Sequence, residues 1–214
     1  MADSQARVKA VVFDFGGVMT TTTMPERVKP IVDGLGLPWS AIEAGYGRYR
    51  RLMDASLISM AAMYDLIFAD AAIAVDPAAL AKIVEEDVAS FLYRNERTLV
   101  WMRALKAEGY KIGILTNMSA DFAVRFREAF PDFIAEADAV VISGEEHMFK
   151  PQRRIYDLVS QRLGLPPESL VFIDDVEANC AGARAAGWQA IRFVSNDQVE
   201  RDLPFSTRGV GILV

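Results

Sequence analysis

The stretch Val8-Lys-Ala-Val-Val-Phe-Asp-Phe-Gly-Gly17 decides the fold. Residues 8–13 are short, nearly all apolar and rich in β-branched side chains, which predicts a buried strand. The strand stops abruptly at Asp14-Phe15-Gly16-Gly17. Downstream, from about Thr20 to Arg97, the sequence offers no convincing buried strand. Apolar residues recur there at helical spacing, as in Tyr49, Leu52, Met53 and Leu57, then Met60, Met63, Tyr64 and Ile67. Gly34, Gly36 and Pro38 interrupt the first part, and Asp76-Pro77 opens a helix with Pro in its first turn. This middle section reads as a small helical bundle.

After Arg97 the pattern alternates. Helices are expected over Leu99–Glu108, Asp121–Phe130, Gln152–Leu163 and Ala178–Ala186. Between and after them lie the apolar runs KIGIL (111–115), AVVI (139–142), LVFI (170–173) and Gln189–Val194, all expected to be strands. Strands separated by helices of this length pair in parallel through right-handed crossovers. The expected fold is therefore α/β, a doubly wound, Rossmann-like parallel-sheet core with a small helical domain inserted after the first strand. Residues 1–19 and 97–214 would form the core and residues 20–96 the insertion. Ligands of such sheets bind beyond the carboxyl ends of the strands, here Asp14, Thr116, Ser143 and Asp174-Asp175.

The 214 residues are 52% hydrophobic, 24% charged and 10% aromatic, enough to bury a core and exclude disorder. Cys180, the single cysteine, excludes an internal disulfide and suits a reducing cytoplasm. A net charge of −6 argues against sequence-independent nucleic-acid binding. The opening Met1–Arg7 has no apolar run of the signal-peptide kind, and the most apolar stretch, residues 59–84, is broken by Asp65, Asp70, Asp76 and Pro77. No membrane span is expected. No heptad or exposed stripe indicates an oligomeric state.

Four elements call for one explanation: Asp14 with Gly16-Gly17, Thr116-Asn117, Lys150-Pro151, and Asp174-Asp175 with Asn179. Each alone has an ordinary reading, a strand-end Asp as a turn former and a Lys as a solvated surface residue. Adjacent aspartates differ, because like charges raise each other's pKa unless a cation intervenes. Three carboxylates at one sheet edge favour a hard divalent cation, Mg²⁺ where phosphate is present.

In order and context these elements resemble the haloacid dehalogenase superfamily of phosphatases and related hydrolases. VVFDFGGV (11–18) is similar to its first motif and GILTN (113–117) to its second. SGEEHMFKPQRRIY (143–156) is similar to the third, and LVFIDDVEANCAGARAAGWQAI (170–191) to the fourth. The nearest look-alikes are small capped phosphatases opening with D-x-G-G-V, including the domains fused to epoxide hydrolases and acyl-CoA dehydrogenases. The resemblance implies that Asp14 is the nucleophile, forming an aspartyl-phosphate, and that the insertion is a cap. It implies phosphate contacts from the turn Phe15, Gly16 and Gly17, from the Thr116 hydroxyl and from the Asn117 backbone amide. Lys150 would neutralise Asp14 and the transferring group. Asp14, Asp175 and the Gly16 carbonyl would hold Mg²⁺, with Asp174 acting through water or by orienting Lys150. Asn179 would hold the loop.

One position departs from the resemblance. Most phosphatases of the superfamily carry an acid–base Asp two residues after the nucleophile, where this chain has Gly16. General acid–base catalysis contributes about 10²–10⁴-fold, so the expected enzyme is slow or selective for good leaving groups. Another group would otherwise have to serve, from the insertion or from the third-motif loop. His147, the only histidine, lies in that loop, although a solvated loop residue is its plainer reading. Dehalogenases of the superfamily also lack this Asp, but they dispense with Mg²⁺ and usually carry an aromatic there, against which Asp174-Asp175 argues. A response-regulator receiver domain fails on the order of its motifs. The remaining alternative is a non-catalytic protein that binds a phosphorylated ligand. In the insertion, Arg48, Arg50 and Arg51 form a basic cluster; one could meet a second anionic group on the substrate, but the cluster is read as a solvated helix face with ordinary ion pairs. Tyr46, Tyr49, Met53, Met60, Met63 and Tyr64 read as core rather than pocket, and Cys180 as buried packing. The expected partner is a small phosphorylated substrate.

Overall fold

β1 (Ala10–Phe13) is the middle strand of the sheet, and its four residues are buried on both faces. The computed structural model describes residues 8–203, so the ends of the expected core, 1–7 and 204–214, lie outside the described residues. After β1 come β2 (Thr20–Thr21) and four helices: α1 (Met24–Gly34), α2 (Trp39–Asp54), α3 (Met60–Asp70) and α4 (Pro77–Ser90). β3 (Tyr93–Arg94) and α5 (Glu96–Ala107) lead into β4 (Lys111–Thr116), α6 (Ala120–Ala129) and α7 (Pro131–Glu136). The described residues continue with β5 (Ala139–Ile142), α8 (Ser143–Glu146), α9 (Arg153–Leu163), β6 (Leu170–Asp174), α10 (Glu177–Ala185), β7 (Gln189–Arg192) and α11 (Asn196–Asp202).

Five strands form one sheet in the order β5-β4-β1-β6-β7, every pair parallel. The β1 side chains alternate between two apolar clusters. Val11 and Phe13 join α5, α6 and α7 on one face, with the inserted helices continuing that cluster. Ala10 and Val12 join Ile155, Tyr156, Val159 and Leu163 of α9 and Ala183 of α10 on the other. This two-sided burial is why β1 reads as a continuous apolar run. Register then sets the site. Phe13 pairs with both Ile114 and Ile173, so Asp14, Thr116 and Asp174 emerge at one end of three adjacent strands.

Most elements fall within a few residues of their expected limits. Asp76 begins α4 as expected, its Oδ1 accepting from the Ala78 N–H at 2.6 Å, with Pro77 in the first turn. β2, β3, α7, α8 and α11 were not expected. β2 and β3 pair antiparallel as a two-residue ribbon at the root of the insertion, too short to carry a period in the sequence. Asn95 Nδ2 and Thr98 Oγ1 both donate to the Val18 carbonyl, at 2.9 and 2.8 Å, and tie down the same crossing. Pro131 ends α6 but also starts α7, because a missing N–H costs nothing in a first turn. Ser143–Glu146 is a single helical turn rather than a loop.

Gly182 on α10 carries the third and fourth motifs against each other. A Cβ there would lie 2.6 Å from Pro151 Cβ and 2.9 Å from the Tyr156 hydroxyl. Gly→Ala in a helix ordinarily gains up to about 1 kcal/mol, whereas forced overpacking costs about 1–3 kcal/mol. Gly182→Ala is therefore expected to lower stability, read as an earlier urea midpoint with an unchanged denaturant slope.

Candidate active site

The Lys150 ammonium occupies the centre of the sheet's carboxyl end. It lies 2.8 Å from Asp14 Oδ1 and 2.6 Å from Asp174 Oδ2, and all three side chains are buried. Burial opposes the lysine's charge, but Asp14 and Asp174 outweigh it and hold the ammonium above the ordinary lysine range. Asn117 fixes the lysine from behind. Its Oδ1 accepts from the Lys150 N–H at 2.8 Å and its Nδ2 donates to the Lys150 carbonyl at 3.1 Å. The sequence reading had assigned Asn117 only a backbone contact; its side chain clamps the third-motif loop onto the end of β4.

Asp174 is committed to the protein. Asn179 Nδ2 donates to both its oxygens at 3.1 Å, and the Val176 N–H donates to Oδ1 at 2.8 Å. With Lys150 on Oδ2, this carboxylate orients the lysine. Asp14 is less satisfied. Its Oδ1 accepts from the Phe15 N–H at 2.7 Å, yet burial, reinforced by Asp174 and Asp175, pushes its pKa well up against the pull of Lys150. Asp175 is half-buried and also raised, first by burial and then by Asp174.

Oxygens of Asp14, Asp174 and Asp175 lie within 4.8 Å of one another. One ammonium does not balance three carboxylates, and oxygen donors in this number suit a hard divalent cation. Gly17 makes the approach possible. Its φ is +77°, and a Cβ there would meet Asp175 Oδ2 at 2.6 Å.

These residues open onto a cavity of about 490 Å³ lined by Asp14–Gly17, Thr116, Asn117, Lys150 and Asp175, with Tyr46, Arg50, Arg51 and Asp54 of α2 opposite. Arg50 Nε donates to Asp54 Oδ1 at 2.8 Å and the guanidinium lies over the Tyr46 ring, so the ordinary helix ion pair expected here is present and sits in the cavity wall. Arg51 is exposed and has no acidic partner among the described residues. Arg48 pairs away from the cavity with Asp70. Tyr46 belongs to the cavity wall, its hydroxyl donating to Asp87, whereas Met53, Met60, Met63 and Tyr64 are core as expected. His147 is exposed in its loop and does not line the cavity; its Nδ1 lies 3.2 Å from the Ala55 carbonyl. Asp54, which the sequence did not single out, is buried in the wall. Burial pushes Cys180 up to about 11 and it does not line the cavity.

Residues 8–187 match the family model of the haloacid dehalogenase-like hydrolases. A phosphatase of Mycobacterium tuberculosis is 27% identical over 206 residues, spanning 92% of this chain and 94% of that one. A haloacid dehalogenase family enzyme of Bacteroides thetaiotaomicron, solved with magnesium and inorganic phosphate, superposes with a TM-score of 0.66 at 23% identity, over 86% of this chain and 93% of that chain. The L-2-haloacid dehalogenase of Xanthobacter autotrophicus, solved with chloropropionic acid covalently bound, gives 0.63 at 18% identity, over 92% and 82%. The fold thus serves both chemistries, and the side chains of the site must separate them.

Removing the central cation should be costly. Lys150→Met leaves Asp14 and Asp174 buried without their counter-charge, and breaking such a pair costs about 3–5 kcal/mol. Thermal denaturation is expected to show that loss without divalent cation and a smaller one in excess MgCl₂.

Proposed function

Because the chain belongs to the haloacid dehalogenase-like hydrolases, we propose that it is a Mg²⁺-dependent phosphoric monoester hydrolase acting on a small phosphorylated substrate. The observation that carries this reading is the excess of negative charge around the nucleophile: three converging carboxylates against one ammonium. A 2-haloacid brings its own carboxylate, which such a site repels. A divalent cation held by these carboxylates would offset their charge and favour a phosphate ester. The full-length likeness to a mycobacterial phosphatase points the same way.

In this reading Asp14, Asp175 and the Gly16 carbonyl hold Mg²⁺, with Asp174 contributing charge from behind. The ion would keep Asp14 ionised and neutralise charge on the phosphoryl oxygens. Asp14 attacks phosphorus and the ester oxygen departs, leaving a phosphoryl group on the carboxylate; water then attacks phosphorus and frees Asp14. Lys150 screens the nucleophile from the incoming dianion and stabilises the equatorial oxygens. Amides of residues 15–17 and the Thr116 hydroxyl bind those oxygens. Residues 20–96 act as a cap over the cavity, and Arg51 on α2 gives the cap side a cation for an anionic substrate. Gly16 supplies no proton to the departing oxygen, so esters of acidic alcohols react fastest.

The test compares an aryl phosphate with a sugar phosphate, in Mg²⁺ and in EDTA. Mg²⁺-dependent release of phosphate from the aryl ester is expected, abolished in Asp14→Asn, with the sugar phosphate much slower. A Cβ at position 16 would meet Phe91 at an ordinary 3.6 Å, and its φ is outside the left-handed region. Gly16→Asp should therefore raise the sugar phosphate rate by part of the about 10²–10⁴-fold that a positioned acid contributes. Turnover unaffected by EDTA or by Asp14→Asn would overturn the reading.

A further inference from the structure

We infer that Asp54 is the general base that activates water against the phosphorylated Asp14, a role that rests on the phosphatase reading and that Gly16 leaves vacant. Among the described residues lining the catalytic cavity, the carboxylates are Asp14, Asp54 and Asp175. The first carries the phosphoryl group and the third faces the cation. Two other proton-transfer groups are excluded by their contacts. The Tyr46 hydroxyl is engaged with Asp87 and Tyr64, and His147 points to the Ala55 carbonyl outside the cavity.

Asp54 has the chemistry of a base. Its Oδ1 is paired with Arg50 Nε, while its Oδ2 accepts no hydrogen bond among the described residues. Oδ2 is therefore the oxygen left to meet a water in the cavity. This suits the second half-reaction and leaves the first without an acid, in keeping with a preference for good leaving groups.

Asp54 is also held rigidly against the catalytic end of the sheet. The Ser143 hydroxyl donates to the Asp54 carbonyl and itself accepts from the Met118 N–H at 2.9 Å. His147 takes the Ala55 carbonyl, and the Ala120 N–H donates to Ser56 Oγ at 2.8 Å. Ser56 sits at φ 53°, a left-handed conformation that a serine keeps only when its surroundings impose it. Gly144 admits this contact, since a Cβ there would lie 2.3 Å from Ser56 Oγ. Three consecutive residues at the end of α2 are thus pinned to the start of α6, to α8 and to His147 just beyond it. Geometry enforced at this expense is what a positioned catalytic group requires.

In the step itself the water oxygen bonds to phosphorus as its proton passes to Asp54 Oδ2. The phosphorus–oxygen bond to Asp14 breaks, its electron pair returns to the Asp14 carboxylate, and inorganic phosphate departs. The Asp54 proton is then released to solvent.

The experiment follows an aryl phosphate by rapid mixing with Mg²⁺ and quantifies protein-bound phosphate after acid quench. Asp54→Asn is expected to release one equivalent of phenolate per site in a burst, then turn over about 10²–10⁴-fold more slowly than the wild type while phosphoenzyme accumulates. Asp54→Glu, which keeps the charge but shifts it, should slow the same step by less; it also serves as the test if the Asn variant does not fold. Wild-type rates in both variants, or slow rates without phosphoenzyme, would overturn the role of Asp54. A wild-type protein that neither hydrolyses the ester nor becomes phosphorylated would overturn the phosphatase reading itself.

Discussion

Lys150 between Asp14 and Asp174 is the constraint on which the site depends. Burying three charges is expensive, and one ammonium repays the cost only if its geometry is good and the remaining oxygens find donors. The surroundings supply both. Asn117 holds the lysine backbone at both N–H and carbonyl, and Asn179 with the Val176 N–H saturates Asp174. Asp14 receives one backbone N–H and the lysine, and burial still pushes its pKa well up. Asp14 is thus less fully satisfied than Asp174.

That arrangement joins segments that follow four of the five strands. Asp14 follows β1, Asn117 follows β4, Lys150 lies in the loop after β5, and Asp174 ends β6. Parallel register brings them together, since Phe13 pairs with both Ile114 and Ile173. The inserted helices reach the same place by a different route. A two-residue ribbon ties their root to the core, and the end of α2 is fastened through Ser143, His147 and Ala120. Asp54 and Arg50 thereby become part of a cavity whose other wall is the sheet edge.

The departure at Gly16 changes the balance between the two sides. With no acid–base carboxylate beside the nucleophile, any such group must come from across the cavity. Phe91 at the exit of the insertion packs near the empty Cβ position, and Asp54 stands on the facing helix. In the proposed mechanism the insertion supplies part of the chemistry, which ties turnover to its docking on the core.

Much of this was legible in the chain. A strand buried on both faces must be apolar throughout, so β1, β4, β5 and β6 announce themselves, and capping residues mark α4. Asp14 and Asp174-Asp175 stand out because charged residues directly after apolar strands are costly unless they meet, whereas Lys150, well beyond the end of β5, stands out only through the likeness of its loop to the third motif. The two-residue ribbon was invisible, because it is too short for any period. Asp54 was invisible for another reason. Within α2 it is one more acidic residue on an amphipathic helix, four positions from an arginine, as any surface pair would be. What separates it from a surface pair is burial against a wall built more than sixty residues later, by Ser143 and Ala120. His147 shows the converse, a conspicuous titratable residue that tertiary packing turns away from the cavity. Local sequence determines which segments become strands and helices, because their hydrogen bonds and periodicity are local. Which side chains share a cavity is decided by long-range packing, which no short window of sequence encodes.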